Sequence, residues 1–190
     1  MAQCAVGAEH KSLATKQECN LQRDLCDSET PDGNRRRLEM KKLDVLRGCD
    51  LFRGLNDEQL GLVEKLCTDE VFEPGACLGK QGCKQNKVFI VEEGTVAIIL
   101  EVGPLSQRQV QAASRFDVVC WSGGVEPNIC TATSRAIEKT KVLAFHGEEL
   151  CQLCLTHPNV GCVVCRGMAR VIAGRLRQAY VQLLGVTSQD

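Results

Sequence analysis

Residues 71–102 read VFEPGACLGKQGCKQNKVFIVEEGTVAIILEV, and this stretch decides the fold class of the chain. Short runs rich in valine and isoleucine alternate with Pro-Gly, Gln-Gly and Glu-Glu-Gly turn signals at a spacing of roughly ten residues. This pattern is typical of an antiparallel sandwich or barrel. It predicts further strands, which are expected at about residues 108–113, 118–121, 130–137 and 141–146.

Helical patterns flank the β-rich region on both sides. Residues 38–49 carry apolar residues at helical spacing, and a second helix is expected to begin after Asn56, an N-cap residue followed by acidic residues. Near the C-terminus an apolar stripe predicts a longer helix of about six turns. The stripe consists of Val164, Met168, Val171, Ile172, Leu176, Tyr180, Leu183 and Leu184. The order of helices, strands and long helix predicts an α+β chain around a β-barrel-like core.

The composition limits the class of protein. A net charge of −1 over 190 residues gives no reason to expect a nucleic-acid binder. The sequence has no apolar run long enough for a membrane span and no signal peptide, so we expect a cytoplasmic protein. Residues 1–37 are polar and end in TPDGNRRR, which predicts a separate tail, at most partly helical, before a domain at residues 38–190.

The 13 cysteines are unusual for a cytoplasmic chain, where cysteine serves as a small hydrophobe, a metal ligand or a redox thiol. Residues 151–165, CQLCLTHPNVGCVVC, hold two C-x-x-C pairs separated by His157-Pro158, where a helix is expected to break. Three interpretations stay open for the pairs: a zinc or iron–sulfur site, a redox dithiol, or helix packing. The candidate metal ligands are Cys151, Cys154, Cys162 and Cys165.

Residues 40–186 resemble the cyclic-nucleotide-binding domains of the catabolite activator and Fnr type. The positions that carry the resemblance are Phe52, Gly54, Leu55, Leu60, Pro74, Gly75, Leu78, Gly82, Phe89, Gly94 and Val96. The resemblance implies an antiparallel jelly roll with N-terminal helices, a ligand pocket and a long C-terminal helix that pairs in a homodimer. Transcription factors of this family continue into a helix-turn-helix domain. Because this chain ends at Asp190, we expect a stand-alone domain that does not bind DNA by itself.

The phosphate-binding cassette of the family is degenerate in this chain. Nucleotide-binding members use a glycine, a glutamate for the ribose, an arginine for the cyclic phosphate and a hydroxyl side chain. The resemblance places Cys120 at the glycine, Trp121 at the glutamate, Cys130 at the arginine and Thr131 at the hydroxyl. We therefore expect weak or absent cyclic-nucleotide binding, unless an arginine such as Arg115 or Arg135 supplies the charge. The candidate ligand pocket comprises Gly94, Cys120, Trp121, Ser122, Cys130, Thr131 and Ala132.

Several pocket residues have more than one interpretation. Trp121 either fills the vacant ribose space or stacks on a different planar or apolar ligand. Cys120 and Cys130 are small apolar fillers, a redox-sensing pair or a covalent handle inside the pocket. On the last helix, Arg166, Arg170 and Arg177 share a face that is either solvated or docks an acidic partner.

Two functions follow as alternatives. The first is a homodimeric regulatory sensor that requires no cofactor, binds an unidentified small molecule and signals to a protein partner. The second is a cysteine-rich metal, iron–sulfur or haem redox sensor on the same fold. An enzyme is not expected, because the sequence holds no nucleophile elbow, P-loop, HExxH motif or paired-acid arrangement.

Overall fold

The computed structural model describes residues 41–103 and 106–183. The expected tail at residues 1–37 and Leu184 of the apolar stripe lie outside this range. The helices and strands are α1 Lys42–Gly48, a 3-10 turn Asp50–Phe52, α2 Asp57–Glu64, β1 Cys67–Phe72, β2 Cys77–Gly79, β3 Lys87–Glu93, β4 Val96–Gly103, β5 Ser106–Ala113, β6 Val118–Val119, a 3-10 turn Trp121–Gly124, β7 Thr133–Ala136, β8 Thr140–His146, α3 Gly147–Thr156 and α4 Pro158–Leu183.

The strands form two four-stranded antiparallel sheets, which confirms the predicted jelly roll. One sheet has the strand order β1-β8-β3-β6, and the other has the order β2-β7-β4-β5. Strand β3 pairs with β8 from Lys87 opposite His146 to Glu93 opposite Lys141. Strand β4 pairs with both β5 and β7. The sheets therefore form a sandwich whose outer side carries the helices.

The core has two layers because β3 is buried on both faces. Val88 and Ile90 belong to the cluster that includes the helices, whereas Phe89 and Val91 belong to the cluster between the sheets. Successive side chains of a strand point to opposite faces, so a strand between two apolar layers needs a continuous apolar run. The run KVFIVEE in the sequence supplies it.

Two predicted helix boundaries are confirmed. The side chain of Asn56 accepts a hydrogen bond from Gln59 N at 2.9 Å, and the side chain of Gln59 accepts one from Asn56 N at 3.0 Å. This reciprocal capping box starts α2. Helix α3 ends at Thr156 and α4 begins at Pro158, so the break expected at His157-Pro158 is present.

Two strand predictions were too long. The strand expected at 118–121 ends at Val119, because Cys120 adopts a left-handed conformation with φ of 55° and starts a 3-10 turn. The strand expected at 130–137 begins at Thr133. The segment just before Thr133 does not pair as a strand, and its one isolated bridge joins Ile129 to Lys84.

Within residues 41–103 and 106–183, no helix combines the length and apolar character that crossing a membrane requires.

Helix α4 contacts the 3-10 turn Asp50–Phe52 at Gly167. A Cβ atom at Gly167 would lie 2.1 Å from the carbonyl oxygen of Leu51. We expect Gly167→Ala to lower the free energy of unfolding by about 1–3 kcal/mol, because the helix must move away. A Cβ at Gly174 of the same helix meets no atom within 4 Å.

Gly174→Ala is the matched control and is expected to raise the free energy of unfolding by up to about 1 kcal/mol, since alanine favours helix. Chemical denaturation of both variants measures the difference. Equal effects of the two substitutions would contradict the close contact at Gly167.

Candidate functional site

A cavity of about 310 Å³ lies between the β2-β7-β4-β5 sheet, the turn Trp121–Gly124 and helix α4. This volume is at the lower end of the range of small-molecule pockets, about 300–1,000 Å³. Much of the wall is apolar. Ile98 and Leu100 come from β4, and Ile172, Leu176 and Ala179 come from α4. The long helix thus forms part of the cavity wall.

The structure brings six of the seven predicted pocket residues together in the wall of this cavity. They are Cys120, Trp121, Ser122, Cys130, Thr131 and Ala132. Gly94 is not one of the lining residues. It occupies the turn between β3 and β4 with φ of 92°, and a Cβ there would lie 2.7 Å from Lys139 O. Its place in the sequence pattern therefore reflects turn geometry.

The loop that carries Trp121 and Ser122 is held by hydrogen bonds. Asn128 Nδ2 donates to the carbonyl oxygens of Ser122 at 3.1 Å and Gly123 at 3.2 Å. Gly123 N donates to Cys120 O at 2.9 Å, which closes the turn. These bonds fix the backbone that presents Trp121, the single tryptophan of the chain, to the cavity.

Cys120 and Cys130 meet in the cavity wall. A Cβ built on Gly79 would lie 2.7 Å from Cys120 Sγ and 3.1 Å from Cys130 Sγ, so both sulfur atoms face the same glycine. Hydrogen bonds from the Cys120 thiol and the Ser122 hydroxyl lower the pKa of Cys130 to about 6, against the opposing effect of burial. The same contact with Cys130, together with burial, raises the pKa of Cys120. Cys130 is therefore the thiol of the pair that ionises first.

Arg175 supplies the positive charge of the cavity. Its Nη2 atom donates to Val118 O at 3.0 Å, whereas Nη1 is buried and has no hydrogen-bond partner among the described residues. Burial lowers the pKa of the guanidinium, and the nearby Asp117 partly offsets this. A buried donor without a partner is unfavourable. The protein therefore carries a guanidinium with one fully buried nitrogen atom beside a largely apolar cavity.

The arginines named from the sequence are placed elsewhere. Arg115 Nε donates to Glu92 O at 3.0 Å, and Arg135 is exposed on β7, so neither lines the cavity. Sequence reasoning missed Arg175. The signal was present, because Arg175 follows Met168 and Val171 at helical spacing and is a lone cation on the apolar stripe.

The two C-x-x-C pairs are split between α3 and α4. Cys154 is half-buried, while Cys151, Cys162 and Cys165 are exposed. Burial, and then the neighbouring Cys165 and Cys151, raises the pKa of Cys154 to about 11. Across the described ranges, no group of three or more His, Cys, Asp or Glu side chains is arranged to hold a metal ion. The four-cysteine ligand set stays a prediction: Cys154 of α3 has Cys151 of its own helix and Cys165 of α4 as neighbours.

Comparisons with known proteins identify the fold. No protein-family model matches the sequence, and no curated protein matches it. Among solved structures, the N-terminal domain of a transcriptional regulator from Streptomyces coelicolor A3(2) is 24% identical with a TM-score of 0.60, and the match covers 77% of this chain and 97% of that one. A cyclic nucleotide-binding domain from Methylobacillus flagellatus KT is 16% identical with a TM-score of 0.67, covering 78% and 83%.

A third solved structure with a similar fold is longer than the part that matches this chain. The catabolite activator protein of Thermus thermophilus is 22% identical with a TM-score of 0.62, and the match covers 70% of this chain and 61% of that protein. The chain therefore has the fold of the cyclic-nucleotide-binding domains and of the sensor part of Crp/Fnr-type regulators, as the sequence predicted.

The buried Nη1 atom of Arg175, which has no partner among the described residues, leads to a stability prediction. Replacing a buried charge by an apolar side chain of similar length is often neutral or stabilising. We expect Arg175→Met to raise the free energy of unfolding by about 1 kcal/mol, because Nη1 no longer has to be buried without a partner. Urea denaturation measures it. Arg177→Met, at an exposed position of the same helix, is the control and is expected to stay within about 0.5 kcal/mol of the wild type. A loss of stability in Arg175→Met would contradict the description of Arg175 as an unsatisfied charge.

Proposed function

We propose that this chain is a regulatory domain whose cavity binds a small, largely apolar anion in place of a cyclic nucleotide. One observation carries the proposal. The buried Nη1 atom of Arg175 has no partner among the described residues, and Arg175 lines a mostly apolar cavity. An anionic oxygen supplies the missing acceptor and the missing counter-charge, and the apolar walls bury the remainder of the ligand.

The cassette positions argue against a cyclic nucleotide as the ligand. Cys130 stands where the family arginine binds the phosphate, and Trp121 stands where the glutamate binds the ribose. Removing one partner of a desolvated ion pair costs about 3–5 kcal/mol. Micromolar affinity corresponds to about 8 kcal/mol in total. The loss is therefore large enough to remove binding at physiological concentrations.

The route from ligand to output is proposed to run through helix α4. Ile172, Arg175 and Ala179 of this helix line the cavity. Leu176, Tyr180 and Val181 expose 49%, 56% and 39% of their surface along the same part of α4. Exposed apolar side chains of this size favour an interface, and the fold resemblance suggests a second copy of the chain as the partner. A ligand that pairs with Arg175 then biases the position of the dimer helix, and a protein partner reads the change.

The cysteine chemistry favours a reducing compartment for this function. The ten cysteines of the described residues carry free thiols. Free thiols in this number suit the cytoplasm, where we propose that the domain works without catalysing a reaction.

Fluorescence of Trp121 tests the proposal, since this single tryptophan lines the cavity. We expect aromatic or medium-chain monocarboxylates to change its emission in a saturable manner. The corresponding methyl esters are expected to bind about 10- to 100-fold more weakly, because hydrogen bonds to charged groups contribute about 1.5–3 kcal/mol.

Matched variants assign the effect to one side chain. Arg175→Met is expected to lose the preference for the carboxylate over its ester, and Arg177→Met to keep it. Carboxylates that bind the wild type and Arg175→Met equally well would contradict the role of Arg175.

A further inference from the structure

The geometry points to a second chemical activity in the cavity wall: we propose that Cys120 and Cys130 are a reactive dithiol that a hydroperoxide converts to a disulfide. This activity goes beyond ligand binding and does not depend on the identity of the ligand. It uses two residues that stand at cassette positions and that a cyclic-nucleotide site does not need.

The sulfur atoms of Cys120 and Cys130 lie close to the same glycine. Both sulfur atoms face Gly79, and a side chain at that position would displace them, since its Cβ would lie 2.7 Å from one sulfur and 3.1 Å from the other. The loop that carries Cys130 is tied to its neighbours by two backbone hydrogen bonds of 2.9 Å, from Cys130 N to Cys83 O and from Gly82 N to Cys130 O. The fold therefore holds both thiols beside the same glycine.

The second argument is selective access. Cys120 and Cys130 are only 7% and 4% exposed, yet both line the cavity. A small oxidant reaches them through the cavity, whereas a bulky thiol or a second protein does not. Cys49, at 1% exposure, is buried in the core and does not line the cavity. Access through the cavity therefore distinguishes Cys120 and Cys130 from a cysteine such as Cys49, which is buried in the core.

The third argument is the difference between the two thiols. The Cys120 thiol and the Ser122 hydroxyl donate hydrogen bonds to the sulfur of Cys130, which lowers the pKa of Cys130 to about 6. The thiolate is the nucleophile in thiol chemistry. Burial has the opposite effect on Cys49 and raises its pKa to about 12. Cys130 is therefore assigned as the attacking thiol and Cys120 as the resolving thiol.

The reaction balances with a hydroperoxide as the oxidant. The Cys130 thiolate attacks the terminal oxygen, an S–O bond forms and the O–O bond breaks, leaving Cys130 as a sulfenic acid. The departing oxygen takes up a proton to give an alcohol, or water from hydrogen peroxide. Cys120 sulfur then attacks Cys130 sulfur, the S–S bond forms and the S–O bond breaks. The hydroxide leaves with the proton of Cys120 as water, so two thiols have given two electrons to one peroxide.

Peptide mapping tests the proposal on the full chain. Trypsin cleaves after Arg115 and Arg135, and the peptide 116–135 holds Cys120 and Cys130 and no other cysteine. Reduced protein is treated with limiting hydrogen peroxide, then denatured in an alkylating reagent and digested. We expect this peptide to lose the mass of two hydrogen atoms and to escape alkylation before peptides with the exposed Cys77 or Cys162 change.

Two variants separate the roles. In Cys120→Ser, Cys130 is expected to accumulate as a sulfenic acid that dimedone traps, and Cys130→Ser is expected to remain untrapped at Cys120. Cys77→Ser is the matched control and should oxidise like the wild type. In the wild type and in Cys77→Ser, Trp121, next to Cys120, reports the disulfide as a quenching that a reductant reverses.

Three results would overturn the proposal. They are a peptide 116–135 that keeps both thiols while other cysteines oxidise, a disulfide that joins either cysteine to a different peptide, and equal trapping in Cys130→Ser. The carboxylate titration is run on the same reduced sample. Its outcome does not depend on peroxide, so failure of the dithiol and failure of the anion site are distinguishable.

Discussion

Burial of strands β3 and β8 on both faces is the constraint on which the rest of the structure depends. On one face, Phe145 packs against Phe52 with ring centroids 5.7 Å apart and joins the sheet to the helical layer. On the other face, Phe89 packs against Phe72 at the same distance, in the core between the sheets. These two strands contact an apolar layer on each face, so the helices cover one face and the second sheet covers the other. The cavity forms where α4 extends past this core and lies against the second sheet.

The cavity combines groups that are individually unfavourable to bury. A guanidinium whose Nη1 atom has no partner among the described residues, and two thiols beside Gly79, line a wall that is otherwise largely apolar. Local departures from packing rules of this kind are concentrated at functional sites, where a ligand or a reaction supplies the missing partner. Arg175, Cys120 and Cys130 lie in the same wall, so the proposed ligand and the proposed thiol oxidation would act on one space. The fold positions these side chains, and the side chains determine the chemistry of the cavity.

The sequence predicted local features better than the contacts between distant elements. The apolar run in β3, the cap at Asn56 and the break at Pro158 depend on neighbours in the chain, and each was found where expected. The length of the 118–121 strand was misjudged, because the left-handed Cys120 leaves no sequence signal. The four-cysteine metal set stays a prediction, since the packing of α3 against α4 decides which cysteines meet and neighbours in the chain do not give it. Arg175 was visible as a cation on an apolar stripe, but its hydrogen-bond partner was not, because Val118 belongs to strand β6, more than fifty residues earlier in the chain.

Calorimetric titration of cyclic AMP into the reduced full chain shows whether the cavity still binds a cyclic nucleotide. The resemblance leaves no cation at the cassette position, and the only arginine among the described cavity residues belongs to the α4 wall. We therefore expect no saturable heat below millimolar nucleotide, which corresponds to less than about 4 kcal/mol of binding free energy. A micromolar site would show that Arg175 or another group replaces the cassette arginine, and it would return the domain to the cyclic-nucleotide sensors that share its fold.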